Sequence, residues 1–157
     1  MWTKRSVRCG IYNGDMKAIS SIKVTTQLAI FMENRPGSLA RACDAIAKAQ
    51  INIEALATEG GGFGSRGGEI LVRMVVNDPT KAAEVLSEVG AVAVKADVLW
   101  IEGGNQTGML AEIADQLAKA DINIESVYVS ASSDAAKCLI IMRPSDVDKA
   151  QRVLADL

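Results

Sequence analysis

The chain has 157 residues, 49% hydrophobic and 23% charged, with 17 Lys and Arg against 19 Asp and Glu, a net charge of −2 and a pI near 5.2. Such a chain can bury roughly two-thirds of its unfolded surface, and its mildly acidic balance argues against nucleic acid or anionic lipid as the main partner. No apolar run approaches the ~20 residues of a membrane span, and the N-terminus lacks a secretory h-region, which excludes a membrane partner from the reading.

Residues 1–22 form an N-terminal extension. Val7, Cys9 and Ile11 alternate with Arg8, Gly10 and Tyr12, and Asn13-Gly14 follows. The pattern fits either a small hairpin leading into a strand near Ile22 or a loose extension.

A first module spans residues 23–96. Lys23 to Met32 is rich in β-branched and apolar residues and predicts a strand. Leu39, Ala42, Cys43, Ile46 and Ala47 recur at i, i+3, i+4, i+7 and i+8, the apolar stripe of a helix over 37–50, with Asp44 and Lys48 a favourable i,i+4 pair on its polar side. The loop between them, Glu33-Asn34-Arg35-Pro36-Gly37-Ser38-Leu39, holds a proline suited to a first helical turn and a glycine that permits close approach. A helix N-terminus offers unpaired N–H groups to a carboxylate. Strands follow at 53–59 and 69–77, a helix with Asp78 as N-cap and Pro79 in its first turn at 79–89, a stop at Gly90 and a strand at 91–96. The glycine-rich stretch Gly60–Gly68 leads into a strand rather than a helix, so it predicts a hairpin loop and not a phosphate cradle.

The run Leu39–Glu54 then recurs without a gap as Leu110–Glu125, at an offset of 71 residues, with the ending Ile-Asn-Ile-Glu in register. The chain is a duplicated module. Module two, residues 97–157, has a strand at Val98–Glu102, the loop Gly104-Asn105-Gln106-Thr107-Gly108 before Met109, the helix, strands at 124–130 and 137–143, and a helix from about Asp146. Val89 of module one matches Leu157, so the last strand of module two is absent and strand 98–104 is left with an unpaired edge. The N-terminal hairpin, module one's last strand or another subunit could cover it. The fold class is therefore α+β: two ferredoxin-like βαββαβ modules in tandem, the second lacking its last strand.

The strand, the Glu-Asn-Arg-Pro-Gly-Ser-Leu loop, the helix and the Ile-Asn-Ile that closes it resemble ACT domains, and residues 23–157 resemble small proteins made of two ACT modules in tandem. The resemblance implies regulatory, non-catalytic binding of a small amino acid at interfaces between paired modules, with a metabolic enzyme as a further partner. The loop is most similar to serine-sensing modules of that family, in which the loop Asn of one module and the Asn beginning strand two of a neighbour hold the amino acid. Those positions are Asn34 and Asn52, and Asn105 and Asn123 in the repeat; an amide can satisfy both an ammonium and a carboxylate. The candidate ligand residues are Asn34, Arg35, Pro36, Gly37, Ser38, Leu39 and Asn52 in module one, and Asn105, Gln106, Thr107, Gly108, Met109 and Asn123 in module two. The His preceding the loop in those relatives is Met32 here and Gly103 in the repeat, and Thr107 stands where module one has Pro36. On residue type alone, Asn52 and Asn123 could instead serve the turn into the strand, and Arg35 could be a solvated loop charge.

Other occupants of this topology fit less well. The third strand, Ile70 to Val76, has no aromatic to stack a base. Cys9, Cys43 and Cys138 are too scattered for a metal site, and reduced thiols suit a cytoplasmic protein. With no His and no nucleophile–base constellation, no catalytic residue, metal or cofactor is expected. An interaction module without a small-molecule ligand is the alternative. If modules pair through their second strands, strand four of one lies about 29 Å from strand one of the other, whereas a connector around Ala96-Asp97 reaches at most ~17 Å. A ligand interface of that kind must lie between the chains of a homodimer.

Overall fold

A computed structural model describes residues 19–60, 68–131, 136–155 and 157. In chain order the elements are β1 (Ile19–Glu33), α1 (Ser38–Lys48), β2 (Ile53–Gly60), β3 (Glu69–Val76), α2 (Pro79–Glu88), β4 (Val92–Gly104), α3 (Met109–Lys119), β5 (Ile124–Ala131), β6 (Lys137–Pro144) and α4 (Val147–Leu154). The strands make one antiparallel sheet in the order β2-β3-β1-β4-β6-β5, two ferredoxin-like modules fused edge to edge. The expected N-terminal hairpin, and the centres of the glycine-rich and 131–136 turns, lie outside the described residues.

Two strands differ from expectation, and both differences come from one long-range pairing. Strands expected at 91–96 and 98–102 are a single strand, β4, in which Ala96 and Asp97 pair with Gln27 and Thr26. Strand β1 likewise extends back to Ile19 and pairs with β4 along nearly its whole length. No proline or glycine interrupts residues 91–102, so nothing local stops the ladder. The 71-residue offset carries Thr26 onto Asp97, and these two residues are partners, so a pseudo-twofold axis passes between them. The open edge expected on strand 98–104 is consequently covered: Ser21 to Thr25 pair with Glu102 to Val98 in the position that module two's own fourth strand would occupy.

All four helices lie on one face of the sheet. Leu28, Ile30, Met32, Val72 and Met74 pack beneath Ala42 and Ile46 of α1 and Ala82 and Leu86 of α2. Leu99, Ile101, Ile140 and Met142 pack beneath Ile113 and Leu117 of α3 and Ala150 and Leu154 of α4, and Ile19 joins this second cluster. On α1 the stripe runs through buried Ala42 and Ile46 and half-buried Leu39 and Cys43; Ala47, expected on it, is exposed, lying beyond the apolar arc. The opposite sheet face holds a smaller cluster of Val75, Val98 and Ile141, beside which the Tyr128 hydroxyl donates to Oε1 of the buried Gln27 at 3.1 Å.

Helix ends are made alike in both modules. The Asp78 and Asp146 carboxylates accept from the Lys81 and Lys149 N–H groups, capping α2 and α4. The same two lysines send their ammonium groups to the Ala49 and Ala120 carbonyls, each at 2.7 Å, closing the C-termini of α1 and α3. Among the described residues, no helix is long and apolar enough to cross a membrane.

Candidate functional site

At the end of β1 the Asn34 N–H donates to the Gly68 carbonyl at 2.9 Å, and the Arg35 carbonyl accepts from the Ser38 N–H at 3.2 Å. Gly37 then takes φ 88°, a left-handed conformation that glycine adopts without strain, and serves as N-cap of α1. Pro36 therefore lies in the turn ahead of the cap, and the helix opens at Ser38 rather than at 37. Among the described residues no side chain caps this turn, so its first N–H groups keep no side-chain acceptor there. Gly108 repeats the geometry at φ 96° before α3, again with no capping side chain.

Beside the first bend is a cavity of about 240 Å³. Arg35, Ser38 and Arg41 supply its polar lining with Glu33, and Met32, Ala42 and Val89–Ala91 its apolar lining. Arg35 Nε is 2.7 Å from Glu33 Oε2, an exposed pair, so much of its charge is already answered. An Arg41 guanidinium nitrogen donates to Ser38 Oγ at 3.3 Å, and among the described residues Arg41 forms no ion pair. Of the expected ligand residues, Arg35 and Ser38 line this cavity, whereas Asn34, Pro36, Gly37, Leu39 and Asn52 do not. Arg41 was legible as a candidate only from its spacing, one turn on from Ser38, and from its charge reversal to Glu112 in the repeat.

Asn34 and Asn52 lie at opposite ends of β2. The Asn34 amide nitrogen lies 4.0 Å from where a Cβ on Gly60, the last residue of β2, would be. Asn52 precedes Ile53, the first, and its N–H donates to Asn77 Oδ1 at 3.0 Å while its carbonyl accepts from the Asn77 N–H. Eight strand residues separate the two ends by roughly 25 Å. The turn residues with positive φ are Gln50 and Asp121, not Asn52 or Asn123. Among the described residues, the side-chain amides of Asn34, Asn52 and Asn123 make no hydrogen bond. Among the described residues, strands β2 and β5 are the outer strands of the sheet, each paired along one edge only.

The second bend is furnished differently. The Asn105 N–H donates to the Ala136 carbonyl at 3.0 Å, and the Gln106 side chain lies across Gly104, its Nε2 3.3 Å from where a Cβ there would sit. Met109, in place of Ser38, is 3% exposed and touches the Cys138 sulfur at 3.7 Å. Among the described residues, no cluster of His, Cys, Asp and Glu is placed to hold a metal ion.

Residues 22–156 match the family model for an ACT domain pair. No curated protein sequence matches the chain. Among solved structures, protein BT0572 from Bacteroides thetaiotaomicron is 30% identical, with a TM-score of 0.75 over 86% of this chain and 89% of that one. The ligand-free regulatory subunit of aspartate kinase from Thermus thermophilus shares the fold at 20% identity and a TM-score of 0.64, over 89% of this chain and 98% of that one. Aspartate kinase from Synechocystis, of which the alignment spans 27%, shares it at 20% identity and a TM-score of 0.59 over 92% of this chain. A sheet of two fused ferredoxin-like modules, each with a glycine-capped bend, and a family match over nearly the whole sequence lead to one conclusion: this chain belongs to the ACT domain-pair family.

Proposed function

We propose that the protein is a non-catalytic cytoplasmic regulator that binds a small amino acid between the modules of two copies and transmits occupancy to an enzyme of amino-acid metabolism. One observation carries the reading: among the described residues, Asn34 and Asn52 keep unbonded amides at opposite ends of β2, an outer strand of the sheet paired along one edge only. Antiparallel pairing of β2 with β2 of a second copy brings each Asn34 beside the other copy's Asn52. The amino acid then spans a helix N-terminus, suited to its carboxylate, and two amides able to take its ammonium. The regulatory role draws support from the family and from the fold shared with an aspartate kinase regulatory subunit. A ligand acts this way only if it binds one assembly or orientation better than another.

The test is a thermal-shift screen of the twenty proteinogenic L-amino acids, with sedimentation equilibrium on any that stabilises. At 100 times its Kd a ligand adds about 2.7 kcal/mol, a readily measured shift. The reading expects one or a few amino acids to stabilise a dimer; binding by a strict monomer contradicts it. A second reading, docking without a small molecule, is favoured by the exposed Phe31, Val92 and Val94 on the helix-free face, and silence from all twenty amino acids selects it.

A further inference from the structure

We infer that the two bends have diverged, so that each chain binds one amino acid, through module one, with Arg41 setting the demand for a carboxylate; this rests on the amino-acid reading above. At the repeat offset, Ser38 and Ala42 of the first bend correspond to Met109 and Ile113 of the second. Both pairs are buried, Ser38 and Ala42 at 7% and 2% exposure and Met109 and Ile113 at 3% and 0%; the difference is size, the small pair bordering the 240 Å³ cavity and the large pair packing into module two's core. Ile19, brought in by the start of β1, and Cys138 pack in the same cluster. Gln106 lies over Gly104, further filling the surroundings of the second bend.

Charge reinforces the difference. Arg41, on the first helical turn of module one, is without an ion-pair partner among the described residues, and its neighbour Arg35 is matched by Glu33. The corresponding residue of module two is Glu112, in the first turn of α3. A guanidinium strengthens a carboxylate's hydrogen bonds, and a glutamate in the same place repels it. One bend is open and cationic; the other is filled and acidic.

The experiment titrates the ¹⁵N-labelled full chain with each of the twenty L-amino acids and follows the Gly37 and Gly108 amides. For an amino acid that shifts either resonance, Arg41→Ala, Arg41→Lys and Glu112→Ala are compared, the spectra also reporting that each variant is folded. The expected result is saturation of Gly37 at one equivalent per chain with Gly108 unmoved. Arg41→Ala should weaken binding by about tenfold or more, with partial recovery in Arg41→Lys, and Glu112→Ala should leave affinity unchanged. Saturation of Gly108, two equivalents per chain, or unaltered affinity in Arg41→Ala would overturn the divergence while leaving the amino-acid reading intact. Silence of both amides to all twenty would instead remove that reading, and this one with it.

Discussion

Gln50 and Asp121 are the positions where single residues work hardest against their own chemistry. Both adopt positive φ, 61° and 57°, at the C-terminal turns of α1 and α3, where α2 uses Gly90 at 79°. A Cβ in this region is disfavoured, so Gln50→Gly and Asp121→Gly should each raise stability by about 0.5–1 kcal/mol in denaturant unfolding. Tyr128 gives a pH signature. Burial pushes its phenol from 10.0 to about 12, against a smaller downward pull from Arg73. The unfolded chain gives up this proton near pH 10 and the folded chain holds it, so stability fully present below that pH is lost as pH rises through the folded value. The loss is up to about 2 kcal/mol. Tyr128→Phe should abolish this dependence and, by stranding the buried Gln27, cost about 1–2 kcal/mol at neutral pH. Urea melts at pH 7 and across the alkaline range check both.

Among the elements, the helices were legible because their signals are local. Asp78 and Pro79 mark the start of α2, Gly90 its end, and the Asp44–Lys48 pair closes at 2.7 Å. Strand β4 was not, because the feature that makes 92–104 continuous is a partner some seventy residues away in sequence: β1, lengthened to match. The same pairing explains why a residue preceding module one belongs to the core of module two. Ile19, 7% exposed, packs in the cluster built from α3, α4, β4 and β6. Ile19→Ala should therefore destabilise by about 2–4 kcal/mol. Hydrogen exchange should locate the loosening in α3 and β6 before α1 and β3; equal or reversed loosening would mean that β1 does not serve the second module in this way.

In the whole molecule, the repeat announced both modules and both bends, since a gapless duplication needs no tertiary information to be seen. It did not announce how unlike the bends are, which depends on what surrounds Ser38 and Met109 after folding: a cavity in one case and a filled core in the other. Nor could it show that fusion through β1 and β4 sends β2 and β5 to the two outer edges, leaving Asn34 and Asn52 about 25 Å apart within one chain. That separation makes the proposed site a property of two copies, and complementation tests it directly. Asn34→Ala and Asn52→Ala chains are prepared separately, mixed after dissociation and reassociation, and titrated calorimetrically with the amino acid that stabilises the wild-type protein. Each variant alone should bind poorly, while the mixture should recover about a quarter of the wild-type sites, because half the dimers are mixed and each of those holds one intact site. If the mixture binds no better than its components, or either variant alone binds like the wild type, the ligand is not held between these two asparagines of different chains.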